Sequence, residues 1–195
     1  ATPDDAYRYA KGEGIKHPMG YEMKLREPLD FYAVTDHGIF LGMVNAMADT
    51  TTKASQQPIS KPFHNLNRPD NMNEMSFGER ANLFSKIIGG NIVAQYPYWH
   101  PRVIRAWLTK NSALALKVFD YDVHKSAWAD IARAAEEHND PGKFTSFIGY
   151  EFTSSTNVEG GNLHRNVIFN SSEVPIRPWS RIDSINPEDL WTWMD

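Results

Sequence analysis

Three short stretches of this sequence carry residue types that bind divalent metal ions. The first is Asp36-His37-Gly38, directly after the apolar run Phe31 to Val34. A neutral imidazole is a common ligand for such ions, and Gly38 lets the backbone turn sharply there. The second is Glu151, in Ile148-Gly149-Tyr150-Glu151-Phe152. A carboxylate among apolar residues is costly to bury unpaired, so it must face solvent, a cation or a metal. The third is His164, in Leu163-His164-Arg165-Asn166-Val167-Ile168. If this run is a strand, His164 and Asn166 share a face and Arg165 points away. Each stretch has a plainer reading. Asp36 would cap a helix starting near Ile39 with His37 merely packed, Glu151 would be solvated, and His164 would sit on a surface hairpin.

The remaining histidines are weaker candidates. Asp122 and His124 have an Asp-x-His spacing, but they fall at a helix start, where Asp122 is a natural cap. His100 lies in an aromatic loop, Tyr96 to Pro101, suited to packing or to a substrate wall. His17, His64 and His138 are in loop or helix-end contexts.

These residues need strands and helices to position them. Thr2-Pro3-Asp4-Asp5 opens a helix, with Thr2 as cap and Pro3 first, expected to run to Lys11. Residues 13–28 read as a loop, Leu29 to Val34 as a buried strand and Ile39 to Met47 as a helix. The polar stretch 50–75 reads as a long excursion, and such loops are functional or inserted. Helices are expected over Ser76 to Ile88, 102–118 and 123–138. Lys143 to Phe152 and His164 to Phe169 read as strands, joined across Glu159-Gly160-Gly161 into a hairpin. Asn186-Pro187-Glu188-Asp189 opens a last helix, on which Trp191 and Trp193 cannot share a face.

Bulk composition narrows the chemistry. The 195 residues include no Cys, so any metal site must use His, Asp and Glu. Net charge is −4, which gives no electrostatic reason to expect nucleic acid. No apolar run approaches the ~20 residues of a membrane helix, and 41% hydrophobic residues suit one globular domain or a large part of one.

The three metal-compatible stretches resemble parts of polymerase-and-histidinol-phosphatase (PHP) domains. Ala33-Val34-Thr35-Asp36-His37-Gly38 is similar to their second motif, Phe147 to Glu151 to their Gly-x-Glu motif, and Asn162-Leu163-His164 to the following ligand histidine. More closely, the chain resembles a bacterial PHP-like family catalogued as domain of unknown function 3604. The carrying marks are Thr2 to Tyr7, Pro28 to Phe31, Thr35 to His37, Gly149 to Thr153 and His164 to Phe169.

The resemblance implies an α/β chain forming part of a distorted β/α barrel with helical insertions, its first and last strands missing. It implies one incomplete domain over residues 1–195, with an insertion at about 50–140. It also implies divalent ions (Zn, Mn or Fe) held by His37, Glu151 and His164, with Glu151 shared between two ions. Asp36 would orient the turn or His37, while Arg165, or Lys143, would steer an anionic group. The expected function is hydrolysis of a phosphate or related small-molecule ester by a metal-bridging hydroxide. The alternative is a non-catalytic binding or scaffold module on the same fold. The family's opening His-x-His has no counterpart in these residues, and no His follows His164. Both ends are therefore expected to be cuts, with the missing ligands on the parent protein or on another chain. The fragment alone is expected to be inactive and to self-associate through exposed edges. A periplasmic or secreted origin is what the family's export signals imply.

Overall fold

The structure, a computed structural model, describes residues 2–17, 20–66, 79, 118–154, 163–180, 182–184 and 186–195. Its first helix, α1 (Pro3–Ala10), starts at a capping box in which Thr2 and Asp5 each bond the other's backbone N–H. The chain then forms a small antiparallel hairpin, β1 (Ile15–Lys16) with β2 (Glu22–Met23), within the stretch expected to be a loop.

A three-stranded sheet organises the rest. Its central strand is β4 (Thr145–Ser154), rich in the aromatic and β-branched residues that suit a pleated surface. On one side it pairs in parallel with β3 (Phe31–Val34), and on the other antiparallel with β5 (Leu163–Ile168). Parallel neighbours need a long crossover, and here it contains α2 (Met43–Ala48) and α3 (Tyr121–His138).

The two faces of β4 differ as strand alternation requires. Ile148, Tyr150 and Phe152 are buried in the main core with Val34 and Val167. Helix α3 covers this face with a helical stripe of His124, Trp128, Ile131 and Ala135. Tyr7 of α1 packs there too, its hydroxyl donating to the Phe147 carbonyl at 3.0 Å. Gly149, Glu151 and Thr153 lie on the opposite face.

Several boundaries differ from expectation. α2 begins at Met43, not near Ile39, because Phe40 (φ 55°) and Gly42 (φ 77°) both take the left-handed conformation and turn the chain first. α3 is capped by Asp120, whose carboxylate accepts from the N–H groups of Asp122 and Val123. Asp122 is therefore a first-turn acid, not the cap. The polar excursion after Asp49 contains two short 3-10 helices, Ala54–Gln56 and Pro58–Phe63. These build a second core in which Phe63 and Leu66 pack with Met43 and Met47 of α2. The expected helices at 76–88 and 102–118 lie outside the described residues, apart from Glu79 and Val118. The aromatic loop 96–101 and the glycine turn 159–161 lie outside them too.

The last helix, α4 (Pro187–Met194), starts at its Asn186 cap as expected. Trp193 is half-buried against Trp179, and Trp191 is exposed. Among the described residues the sheets do not close into a barrel, and no helix is long and apolar enough to cross a membrane.

Candidate metal centre

β3 ends at Val34, but its register against β4 continues. The Val34↔Ile148 pairing leads in step to a parallel bridge between His37 and Glu151. The Glu151 N–H donates to the Asp36 carbonyl, and the Gly38 N–H donates to the Glu151 carbonyl, both at 2.9 Å. His37 is thus held beside Glu151 by peptides on either side of it. Gly38 is required for this approach, since a Cβ there would lie 2.8 Å from the Tyr150 ring.

The other half of the site comes from the hairpin. His164 stands opposite Thr153 in the antiparallel register, one step diagonal from Glu151 on the same face. The side chains converge. His37 Nδ1 is 2.6 Å from Glu151 Oε2, and His164 Nδ1 is 2.6 Å from Glu151 Oε1. Thr153 Oγ1 sits between the two imidazoles, 2.7 Å from His37 Nδ1 and 3.3 Å from His164 Nδ1.

Glu151 is well covered, with 18% of its side chain exposed, while His37 (46%) and His164 (43%) are open to solvent. The cluster is therefore anchored from below and accessible from above. Each imidazole thus turns its Nδ1 toward a different oxygen of one carboxylate, and the three groups face a common point. A cation bound by the same atoms would take the imidazoles in their neutral form and the carboxylate as an anion.

Three of the sequence-derived residues, His37, Glu151 and His164, form a group whose donor atoms lie within 4.8 Å of one another and could hold a metal ion. Asp36 contributes through its backbone carbonyl. Burial of its carboxyl raises its pKa above the ordinary carboxylate range, although the residue keeps much of its surface in solvent. Arg165 stands opposite Phe152, the buried residue facing away from the cluster, and its guanidinium lies 3.3 Å from the His164 carbonyl. Strand alternation thus directs Arg165 away from the three ligands. Lys143 precedes β4, far down the strand from Glu151, and pairs with Asp140.

Two further residues at the site have no role assigned by the sequence: Thr153 lies in the Gly149-to-Thr153 run, and His124 reads as part of a helix-start Asp-x-His pair. Thr153 becomes visible only once the strand register is known, as the next same-face position after Glu151. His124 lies fully buried on α3, with Nε2 2.7 Å from the Gly38 carbonyl. A carbonyl accepts, so Nε2 carries the proton, and Nδ1 has no partner among the described residues. Burial lowers the His124 pKa below the ordinary imidazole value. Nearby, Arg177 makes a two-pronged ion pair with the well-buried carboxylate of Asp183, at 2.8 and 2.5 Å. Burial pushes the Asp183 pKa up, but Arg177 and the Ser180 N–H outweigh that and hold it low.

A profile of the family described as "Protein of unknown function (DUF3604)" matches residues 1–195. The chain belongs to this family. No curated protein and no solved structure matches it. In this DUF3604 member, the Gly149-Tyr150-Glu151-Phe152-Thr153 run supplies two of the converging side chains, and the Thr35-Asp36-His37 step supplies a third.

Proposed function

We propose that this DUF3604 chain provides His37, Glu151 and His164 as ligands of a divalent metal in a hydrolase acting on phosphate or related esters, built on a PHP-like β/α frame. The observation that carries the reading is the convergence of two imidazole nitrogens and a carboxylate on one sheet face, just past the C-terminal end of β3. Residues beyond the carboxyl ends of parallel strands are where α/β folds assemble active sites. The resemblance of the Thr35-Asp36-His37 and Gly149-Tyr150-Glu151 runs to PHP motifs supports the reaction class.

The donor set fits the ion. Two imidazoles and a carboxylate suit Zn, Mn or Fe, and three protein ligands leave positions open for substrate or water. When bound, such an ion supplies a Lewis acid and lowers the pKa of water toward ~7. The chain's own residues do the rest. Glu151 presents one oxygen to each histidine and fixes their spacing. Thr153 orients both rings through one hydroxyl. The open sides of His37 and His164 admit an ester.

The test is metal analysis by mass spectrometry, together with phosphatase and esterase assays on the protein and on its Glu151→Ala variant. The expected result is stoichiometric Zn, Mn or Fe and ester hydrolysis in the protein, with both lost in the variant. Equal metal content and equal turnover in the two would overturn the assignment.

A further inference from the structure

Gly38 is gripped at both ends of its residue. Its N–H donates to Glu151, and its carbonyl accepts from His124 Nε2 at 2.7 Å. The first bond belongs to the sheet, and the second comes from a helix on the other side of the strand. After Gly38 the chain leaves the line of β3 through left-handed turns at Phe40 and Gly42. Gly42 in turn lies so close to α3 that a Cβ would stand 2.7 Å from Ala127 Cβ. His124 is the α3 side chain whose hydrogen bond ties the start of this exit segment to the helix.

We propose that His124 is a positioning residue for the metal centre, fixing through the Gly38 carbonyl the turn from which His37 reaches Glu151. The inference rests on the metal-centre reading above and adds a residue from outside the sheet. His124 does not reach the ion. Its Nε2 is committed to Gly38, and its ring is fully buried. It sets the direction in which His37 leaves the backbone, as partners behind a ligand do for a ligand's own orientation. The buried ring is suited to this task because its low pKa keeps it neutral and a single donor at neutral pH.

The test compares the unmodified protein with His124→Leu and His124→Gln. Leu fills the space without a donor, whereas Gln restores an N–H of comparable reach. Zinc affinity is measured by competition with a chromogenic chelator, and melting is recorded separately in EDTA. The expected result is zinc binding weakened by about 10- to 100-fold in His124→Leu, the scale for losing a partner behind a ligand. Affinity should be near that of the unmodified protein in His124→Gln, even if the two variants melt alike without metal. Equal zinc affinity in His124→Leu and the unmodified protein would overturn the role of His124 and leave the metal centre standing. No zinc binding by the unmodified protein would instead overturn the metal centre itself.

Should His124→Leu fail to fold, long-range proton–nitrogen correlation spectra of the unmodified protein decide the matter. A proton on Nε2 of His124, with zinc shifting both that ring and the Gly38 amide, supports the proposal. A proton on Nδ1, or resonances unmoved by zinc, overturns it.

Discussion

Replacing Glu151 with Gln keeps the shape of the side chain and removes its charge. Each oxygen of the Glu151 carboxylate lies 2.6 Å from the Nδ1 of one histidine. Even with full hydrogen-bond geometry, a contact to a charged group contributes about 1.5–3 kcal/mol when sheltered. Both histidines are close to half exposed, so solvent screening reduces this to about 1 kcal/mol each. The Gln oxygen keeps the contact with one ring, leaving a net loss of about 1 kcal/mol. For a chain of this size that lowers Tm by roughly 2–4 °C. Zinc acts in the opposite direction. At one hundred times Kd a ligand that binds only the folded state stabilises it by about 2.7 kcal/mol. The unmodified protein should therefore melt about 5–11 °C higher with zinc than in EDTA. Glu151→Gln loses the anionic donor and should show little of that rise. Differential scanning fluorimetry with and without zinc reads both effects. A Glu151→Gln melt that rises with zinc as much as that of the unmodified protein would refute the reasoning.

Other outcomes follow from the same contacts. The folded-state pKa of His124 lies below its unfolded value, so the unfolded chain binds the extra proton first. Its contribution to stability is full above about pH 6.5 and declines as pH falls below that, by at most about 1.4 kcal/mol per pH unit. In EDTA, the Tm gap between the protein and His124→Gln should shift in this window, and a constant gap would count against it. Arg177→Ala leaves the Asp183 carboxylate buried without its partner and should cost about 3 kcal/mol in urea unfolding; a loss under ~0.5 kcal/mol, typical of a surface substitution, would show the pair to be solvated. Tyr7→Phe removes the hydroxyl that donates to Phe147 and accepts from the Val34 N–H, and should cost about 1–2 kcal/mol. An unchanged melt would show that β3 and β4 do not depend on α1 at that point.

What the sequence made legible were the features encoded by neighbours in the chain. The Thr2 capping box, the Asn186-Pro187 helix start and the three strands of the main sheet all depend on residues a few positions apart. The three metal-compatible residues were visible because each sits in a local motif, His37 just past β3, Glu151 within β4 and His164 at the start of β5. The rest depends on contacts across the fold. Ile39 to Met47 reads as helix by pattern, yet Phe40 is left-handed because its segment must turn against α3. Asp120 outcompetes Asp122 as the cap by geometry that composition does not reveal. Thr153 joins the cluster only through the β4–β5 register, and His124 only through the placement of α3 behind Gly38. The direction of Arg165 follows from that register too.

The Thr153 hydroxyl marks a division of the site into near and far partners. Its contact with His164 closes 11 residues of chain, and its contact with His37 spans 116. Closing the longer loop costs about 2 kcal/mol more in chain entropy than closing the shorter one. The Glu151 and His164 pair is thus nearly local, belonging to one hairpin, while His37 arrives only when β3 docks on β4. An ion bound by all three would act as a clip across the long crossover from β3 to β4, favouring the docked state over every arrangement in which β3 is free. Metal affinity would then report whether the parallel pair has formed, and the same three side chains that define the chemistry would also define when the fold is complete.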